Sequence, residues 1–258
     1  MFRMLKETYK ACHRVLGYCP TTVDGLRFRC DADHVHFWRT LSKGGWETET
    51  YKIFTRFLTP VTIYCDIGAW IGPTVIYAAK KCKRVYCFEP DRFAYEYLLQ
   101  NIRLNTLSNV LPFYVALTDR DGIGKMASFG VGLGDSMTSL LKADREDRTT
   151  NVMCMKWDTW LDLVQPADIG FMKIDTEGGE FSLLPTLRGY LTAQKPMVYL
   201  STHAHFLAED RRKEEMYRVQ EIMKIYGKCM NEKMEIVPRD ELIADTTLNR
   251  SRSFLFMD

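Results

Sequence analysis

Residues 61–81 read VTIYCDIGAWIGPTVIYAAKK, and the fold turns on this stretch. The run Val61-Thr62-Ile63-Tyr64-Cys65 is apolar and β-branched, the pattern of a parallel strand buried on both faces. It breaks into Asp66-Ile67-Gly68-Ala69-Trp70-Ile71-Gly72. Pro73 follows, a residue suited to the first turn of a helix because its missing N–H would be unpaired there. The apolar run continues through Val75–Ala79 as helix. Strand, glycine turn and helix in that order open a doubly wound α/β sheet that binds a nucleotide-like ligand.

The spacing narrows the ligand. Gly68 and Gly72 let a ligand lie against the backbone, and the helix start points free N–H groups at it. They stand as G-x-x-x-G, whereas a dinucleotide site wants G-x-G-x-x-G so that pyrophosphate can touch the main chain. Trp70 fills the place of that close glycine. A ligand without phosphates, held partly by Asp66 at the strand end, fits better, and S-adenosylmethionine is such a ligand. A second strand, Arg84–Phe88, ends in Glu89-Pro90-Asp91. An acid about twenty residues beyond the first turn accepts from both hydroxyls of a ribose. Val110–Leu117 reads as the third strand, its end Val115-Ala116-Leu117 lying beside an adenine ring. Phe171–Ile174 is a further apolar strand ending in Asp175-Thr176-Glu177-Gly178-Gly179-Glu180. Ligands of open parallel sheets sit beyond the carboxyl ends of the strands, so Asp175 is expected in the same crevice as Asp66 and Glu89. Three carboxylates there suit a cationic ligand. Glu177 and Glu180 also read as helix N-terminal acids. The strand Met197–Ser201 leads to His203 at the rim of the crevice, while His205, beside Phe206, reads as scaffold.

The 258 residues fit one domain with additions: an extension over residues 1–60 and the main domain over 61–258. A net charge of +2 gives no global ground for a nucleic-acid or anionic-membrane partner. Eight cysteines without a CxxC pair argue against a zinc site and for a reducing, cytoplasmic setting. Residues 1–18 interleave charge throughout, unlike a signal peptide, and read as a helix with Arg3, Lys6, Lys10 and Arg14 on one face. Leu58–Ala79 is long and apolar, but its Asp, Gly and Pro residues exclude a membrane span. The acid- and His-bearing stretch Asp31–His36 reads as a turn rather than a metal site. Trp46 opens a helix running toward Leu58. Phe129–Ser136, with glycine at alternate positions, reads as a loop or lid. Met234–Val237 and Ser253–Met257 read as a closing antiparallel pair.

DIGAWIG (66–72), FEPD (88–91), NIRLN (101–105), VAL (115–117) and KIDTEGGE (173–180) together resemble the FkbM-type S-adenosylmethionine-dependent methyltransferases, over about residues 40–205. The resemblance implies a class I, Rossmann-like fold: a mostly parallel seven-stranded sheet with helices on both faces. It implies O-methylation of a hydroxyl on a sugar, glycan or small metabolite, with S-adenosyl-L-methionine as donor and no metal. Asp66, Gly68, Ala69, Trp70 and Gly72 would hold the methionine part, Glu89 and Pro90 the ribose, and Ala116 the adenine edge. Asp175 would lie near the methyl group. Two positions depart from the family: Trp70 stands where Asn is usual, and Ser201 where Glu often ends the strand. With that Glu gone, His203 or Asp175 is the candidate base, oriented by Glu177 or Glu180. A nicotinamide-dependent oxidoreductase and a non-catalytic cofactor-binding member of the family are the alternatives.

Overall fold

In a computed structural model, which describes residues 13–128, 134, 138–140 and 149–258, the apolar runs form one large sheet between two helical layers. A hairpin comes first, β1 (Cys19–Val23) and β2 (Leu26–Cys30), followed by α1 (Val35–Ser42) and α2 (Thr48–Phe57). Strand and helix then alternate: β3 (Ile63–Ile67), α3 (Pro73–Ala79), β4 (Arg84–Phe88), α4 (Arg92–Leu104) and β5 (Val110–Phe113). A second, smaller sheet holds β6 (Ala116–Leu117), β7 (Gly122–Ser128), β8 (Thr138–Ser139) and β9 (Thr150–Met155). The chain continues through α5 (Trp157–Val164), β10 (Phe171–Ile174), α6 (Glu180–Gln194), β11 (Met197–Thr202), α7 (Glu209–Met223), β12 (Lys228–Asn231) and β13 (Arg252–Met257).

The large sheet has seven strands in the order β12-β13-β11-β10-β3-β4-β5. Neighbours from β11 to β5 are parallel, and β13 runs antiparallel to both β11 and β12. From β3 the chain builds outward through β4 and β5. It later returns to build the other half from β10, so the strand order reverses between β3 and β10, where open α/β sheets bind ligands. Alternation along each strand divides the core. Ile63, Cys65 and Ile67, with Met172, Ile174, Val198 and Leu200, pack on one face against α6 and α7. Tyr64, Phe171 and Tyr199 pack on the other face with α1 and α2.

Three expectations change. The third strand ends at Phe113, and Ala116–Leu117 joins the second sheet by pairing with Cys154-Met155. Pro112, on what is the edge strand of the large sheet, has no N–H to carry the ladder further, and edges are where proline is tolerated. Second, β13 closes the sheet with Lys228–Asn231, not with Met234–Val237, which makes a single bridge, Met230 to Ile236. The Asn231 side chain accepts from the backbone of Lys233 and Glu235, tying that segment into a turn. Third, most of the helix expected over residues 1–18 and of the loop 129–136 lies outside the described residues.

One buried cation sits among the acids on the α1–α2 face. Lys173 is in register directly opposite Asp66 on the neighbouring strand. Its ammonium lies 3.0 Å from Asp175 Oδ2 and 3.6 Å from Asp66 Oδ1, with 4% of the side chain exposed. Burial opposes its charge, and the carboxylates of Asp175 and Asp66 outweigh that, raising the ammonium above its ordinary range. Removing one partner of such a group leaves uncompensated buried charge. Lys173→Met is therefore expected to lower stability by about 3–5 kcal/mol, read as a drop in the urea midpoint at unchanged slope. An unchanged midpoint would show that the two acids do not need the ammonium.

Candidate active site

The turn after β3 is built around its neighbour. Gly68 has φ +91°, and a Cβ there would stand 1.8 Å from the backbone oxygen of Asp175. The ends of β3 and β10 thus meet main chain to main chain, and only glycine fits. Two residues on, Trp70 has φ +49°, a left-handed conformation that a bulky residue adopts rarely and Asn more readily. Its N–H donates to Glu89 Oε2 (2.7 Å), and its indole Nε1–H to the carbonyl of Gly134 (3.1 Å). The indole packs edge-on to Phe37, with ring centroids 4.7 Å apart. The other Glu89 oxygen accepts from the N–H of Asp91 (2.7 Å). Burial pushes the Glu89 carboxyl up to about 8 despite these two donors. Asp91 caps α4 through the N–H groups of Phe93 and Ala94.

These groups border a pocket at the point where the strand order reverses. Gly68, Trp70, Glu89, Pro90, Ala116, Asp175 and Glu177, all singled out in the sequence, line it. Its remaining walls include Phe88, Val115, Leu117, Met126 and Leu140. Apolar walls over one end, a lone buried carboxylate with lone pairs to spare, and a side-chain-free backbone edge suit a flat heterocycle attached to a diol. Asp66, Ala69 and Gly72 do not line the pocket. Asp66 is fully buried behind it: Oδ2 accepts from Tyr64 (2.9 Å) and Thr74 (2.6 Å), and Oδ1 faces Lys173. Burial pushes its carboxyl up, against the pull of Lys173 and the two hydroxyls. The expected convergence of three acids therefore reduces to Glu89 and Asp175, because the side chain of Asp66 turns into the sheet toward Lys173.

A second cluster joins β10 to β11. The His203 N–H and Nδ1 both lie against Glu180 Oε1, at 2.7 and 3.2 Å. The other Glu180 oxygen accepts from the Gly178 N–H (2.8 Å) and the Thr176 hydroxyl (3.1 Å). His203 Nε2 lies 3.5 Å from both Asp175 Oδ1 and Glu177 Oε2. Burial opposes a charge on the ring, but Glu180, Asp175 and Glu177 outweigh it and raise His203 to about 9. The ring is an imidazolium at neutral pH. Burial also works against Asp175, yet Lys173 and His203 hold its carboxyl below the usual range. Glu177, farther from Lys173, is pushed up to about 7 by burial. Ligand atoms of Asp175, Glu177 and His203 all lie within 4.8 Å of one another, close enough to share one small cation.

A second pocket opens on the far side of these groups. Asp175 and Glu177 line it as they line the first, and His203 joins them. Its wall includes Glu47, Glu49 and Thr50 from the start of α2, Tyr199 and Ser201 from β11, Glu232, and Arg252 and Ser253 from β13. None of that wall except Ser201 was marked in the sequence, since it gathers short polar pieces from three distant segments. Lys173 had one available signal: a lysine inside an otherwise apolar strand.

Sheet order, switch-point pocket and strand-end acids define the class: a Rossmann-like, S-adenosylmethionine-dependent methyltransferase. Over residues 66–229 the chain matches the methyltransferase FkbM domain, and it belongs to that family. It is also similar to a tRNA (guanine(37)-N(1))-methyltransferase of Vitis vinifera, 35% identical over 96 residues, covering 36% of this chain and 15% of that protein. With the corresponding enzyme of Pyrococcus abyssi the identity is 30% over 122 residues, covering 47% of this chain and 29% of that protein. The chain therefore spans less than a third of these relatives. Among solved structures, an FkbM methyltransferase from Methylobacillus flagellatus is similar at 18% identity and a TM-score of 0.49, over 77% of this chain and 44% of that one. Among the described residues no helix is long and apolar enough to cross a membrane.

The His203 ion cluster has a pH signature. A ring raised from 6.5 to about 9 contributes stability that is complete below pH 6.5 and is lost as pH climbs through 9. Such a shift corresponds to roughly 3 kcal/mol. Relative to His203→Gln, the wild-type protein should gain that much at pH 6 and nothing at pH 10, measured by urea unfolding at both. An advantage that does not vary with pH would mean the ring is neutral.

Proposed function

We propose that this chain methylates a hydroxyl oxygen of a sugar, glycan or small metabolite, with the donor in the first pocket and the acceptor in the second. The observation that carries this reading is that Asp175 and Glu177 line both pockets, so a group leaving one side meets an acceptor on the other across the same two carboxylates. In this reading residues 61–258 form the methyltransferase domain, and the 1–60 extension lends Glu47–Thr50 to the acceptor wall.

When bound, S-adenosylmethionine supplies an electrophilic methyl group on a sulfonium. Gly68 and Trp70 offer the donor a main-chain edge, Glu89 and Pro90 hold the ribose, and Ala116 borders the base. Asp66, Ala69 and Gly72 act from behind by fixing the turn. Asp175, kept ionised by Lys173, favours positive charge at the junction of the pockets. The proton of the acceptor hydroxyl needs a base near neutrality. His203 already holds its proton and Asp175 is too weakly basic, so the role expected of them passes to Glu177, which is raised to about 7. His203 is a positioning residue: pinned by Glu180, it holds the two carboxylates at the junction. Aligning acceptor and donor is worth up to about 7–11 kcal/mol in favourable cases and is the larger share of the work.

Calorimetric titration with S-adenosylhomocysteine should show a single site, weakened about tenfold or more in Glu89→Ala, which loses charged hydrogen-bond acceptors. NADH should give no heat. With labelled donor and a panel of glycans and polyols, turnover should rise with pH through about 7 and fall about 100-fold or more in Glu177→Gln. Donor binding without label in any acceptor would favour the non-catalytic member, and unaltered turnover in Glu177→Gln would remove it as the base.

A further inference from the structure

The second pocket carries far more acid than methyl transfer to a neutral alcohol requires. Five carboxylates line it, Glu47, Glu49, Asp175, Glu177 and Glu232, against one imidazolium and one guanidinium, His203 and Arg252. Glu47, Glu49 and Glu232 are absent from the first pocket, so the donor's own charge does not account for them. Nor do neighbouring bases neutralise the wall. His203 is held by Glu180 and shared between Asp175 and Glu177. Arg252 reaches only one Glu232 oxygen, at 3.5 Å. That oxygen, Oε2, is buried without a hydrogen-bond donor, and so is the Nε–H of Arg252 without an acceptor. Glu47 Oε2 accepts from the Thr50 hydroxyl (3.1 Å), and Glu49 from Lys52 (2.8 Å). Hydroxyls of Thr48, Tyr199, Ser201, Ser251 and Ser253 complete the wall.

Buried acceptors that lack donors call for a ligand that brings them. A protonated amine brings three N–H donors and one positive charge. A phosphate would add negative charge beside carboxylates that already repel one another. We infer that the acceptor is an amine-bearing polyol of the amino-sugar or aminocyclitol type, its ammonium held by the Glu47, Glu49 and Glu232 wall while a neighbouring hydroxyl is presented to Glu177, and that phosphorylated acceptors are refused. This inference rests on the reading of the site as a hydroxyl methyltransferase. It narrows that reading to one acceptor class. It also sets the chain apart from its tRNA-modifying relatives, since a tRNA would bring its phosphates to an acid wall.

The test is a binding series on the full chain saturated with S-adenosylhomocysteine, with glucosamine, glucose and glucose 6-phosphate as matched probes at one low ionic strength. Glucosamine should bind about tenfold or more tighter than glucose, and glucose 6-phosphate should give no signal. In Glu232→Gln the advantage of the amine should shrink severalfold while glucose binding holds. Added salt should weaken the amine and leave glucose unchanged. The inference is overturned by equal binding of glucosamine and glucose, by tighter binding of the phosphate, by no detectable glucosamine binding, or by label transfer to unfractionated tRNA in preference to aminopolyols. The preceding titration with S-adenosylhomocysteine keeps the two failures apart. If that ligand does not bind, the donor reading falls; if it binds and the amine has no advantage, only the acceptor class falls.

Discussion

The ammonium of Lys173, held between Asp66 and Asp175, is the contact on which the site depends. It is buried at the reversal of strand order, where β3 and β10 lie side by side. Two carboxylates this close in a poorly solvated place would otherwise shed charge by taking up protons. With the lysine present, Asp175 stays ionised at the junction of both pockets, and Asp66 anchors the underside of the glycine turn through Tyr64 and Thr74. Sheet register and site charge are therefore one constraint. The cross-strand pairing that sets Lys173 opposite Asp66 also brings the Asp175 carbonyl to within reach of Gly68, where any side chain would separate the strands.

Around that rigid base the walls are held in backbone conformations that side-chain-bearing residues avoid. Trp70, Glu47 and Glu177 have φ of +49°, +41° and +50°, and each lines one or both pockets. Strain of this kind costs about 1–3 kcal/mol per residue and persists only where surroundings over-determine it. The restraints are visible. Trp70 is tied by its N–H to Glu89 and by its ring to Phe37 and Trp46. Glu177 is followed by Gly178, whose N–H is held by Glu180. Glu180 thus fixes both the turn that carries Glu177 and the imidazole that faces it.

How much of this could be read in the sequence follows from the range of the interactions. The opening strand, turn and helix, the acid ending the second strand, and the strand before Asp175 were all legible, because each is a local pattern of apolar run and punctuation. Asp66 was misplaced because a strand-end acid looks the same whether it faces a ligand or a neighbouring lysine; only the register with β10 decides. The split of Val110–Leu117 was signalled by Pro112, but the partner that recruits Ala116–Leu117 is Cys154-Met155, many residues away. The acceptor wall was invisible for a related reason. Glu47, Glu232 and Arg252 are ordinary surface residues in their own segments, and only folding over one another makes them a wall.

The charge state of the cluster decides which group takes a proton, and here chemistry departs from residue type. Histidine is the usual general base because its ordinary pKa lies near neutrality. Placed among Glu180, Asp175 and Glu177, His203 is displaced upward by its neighbours into permanent protonation, and the basic role moves to whichever carboxylate is left near neutral. Asp175 is too close to Lys173 to qualify. Glu177 is deep enough for burial to raise it and close enough to His203 to be kept from rising further. That balance is set by one imidazolium at 3.5 Å. A second positive charge arriving in the acceptor pocket would pull Glu177 down, ionising it as the acceptor settles. An acceptor that carries its own cation would thus help to prepare the base that deprotonates it, whereas an anionic acceptor would raise Glu177 and leave it protonated.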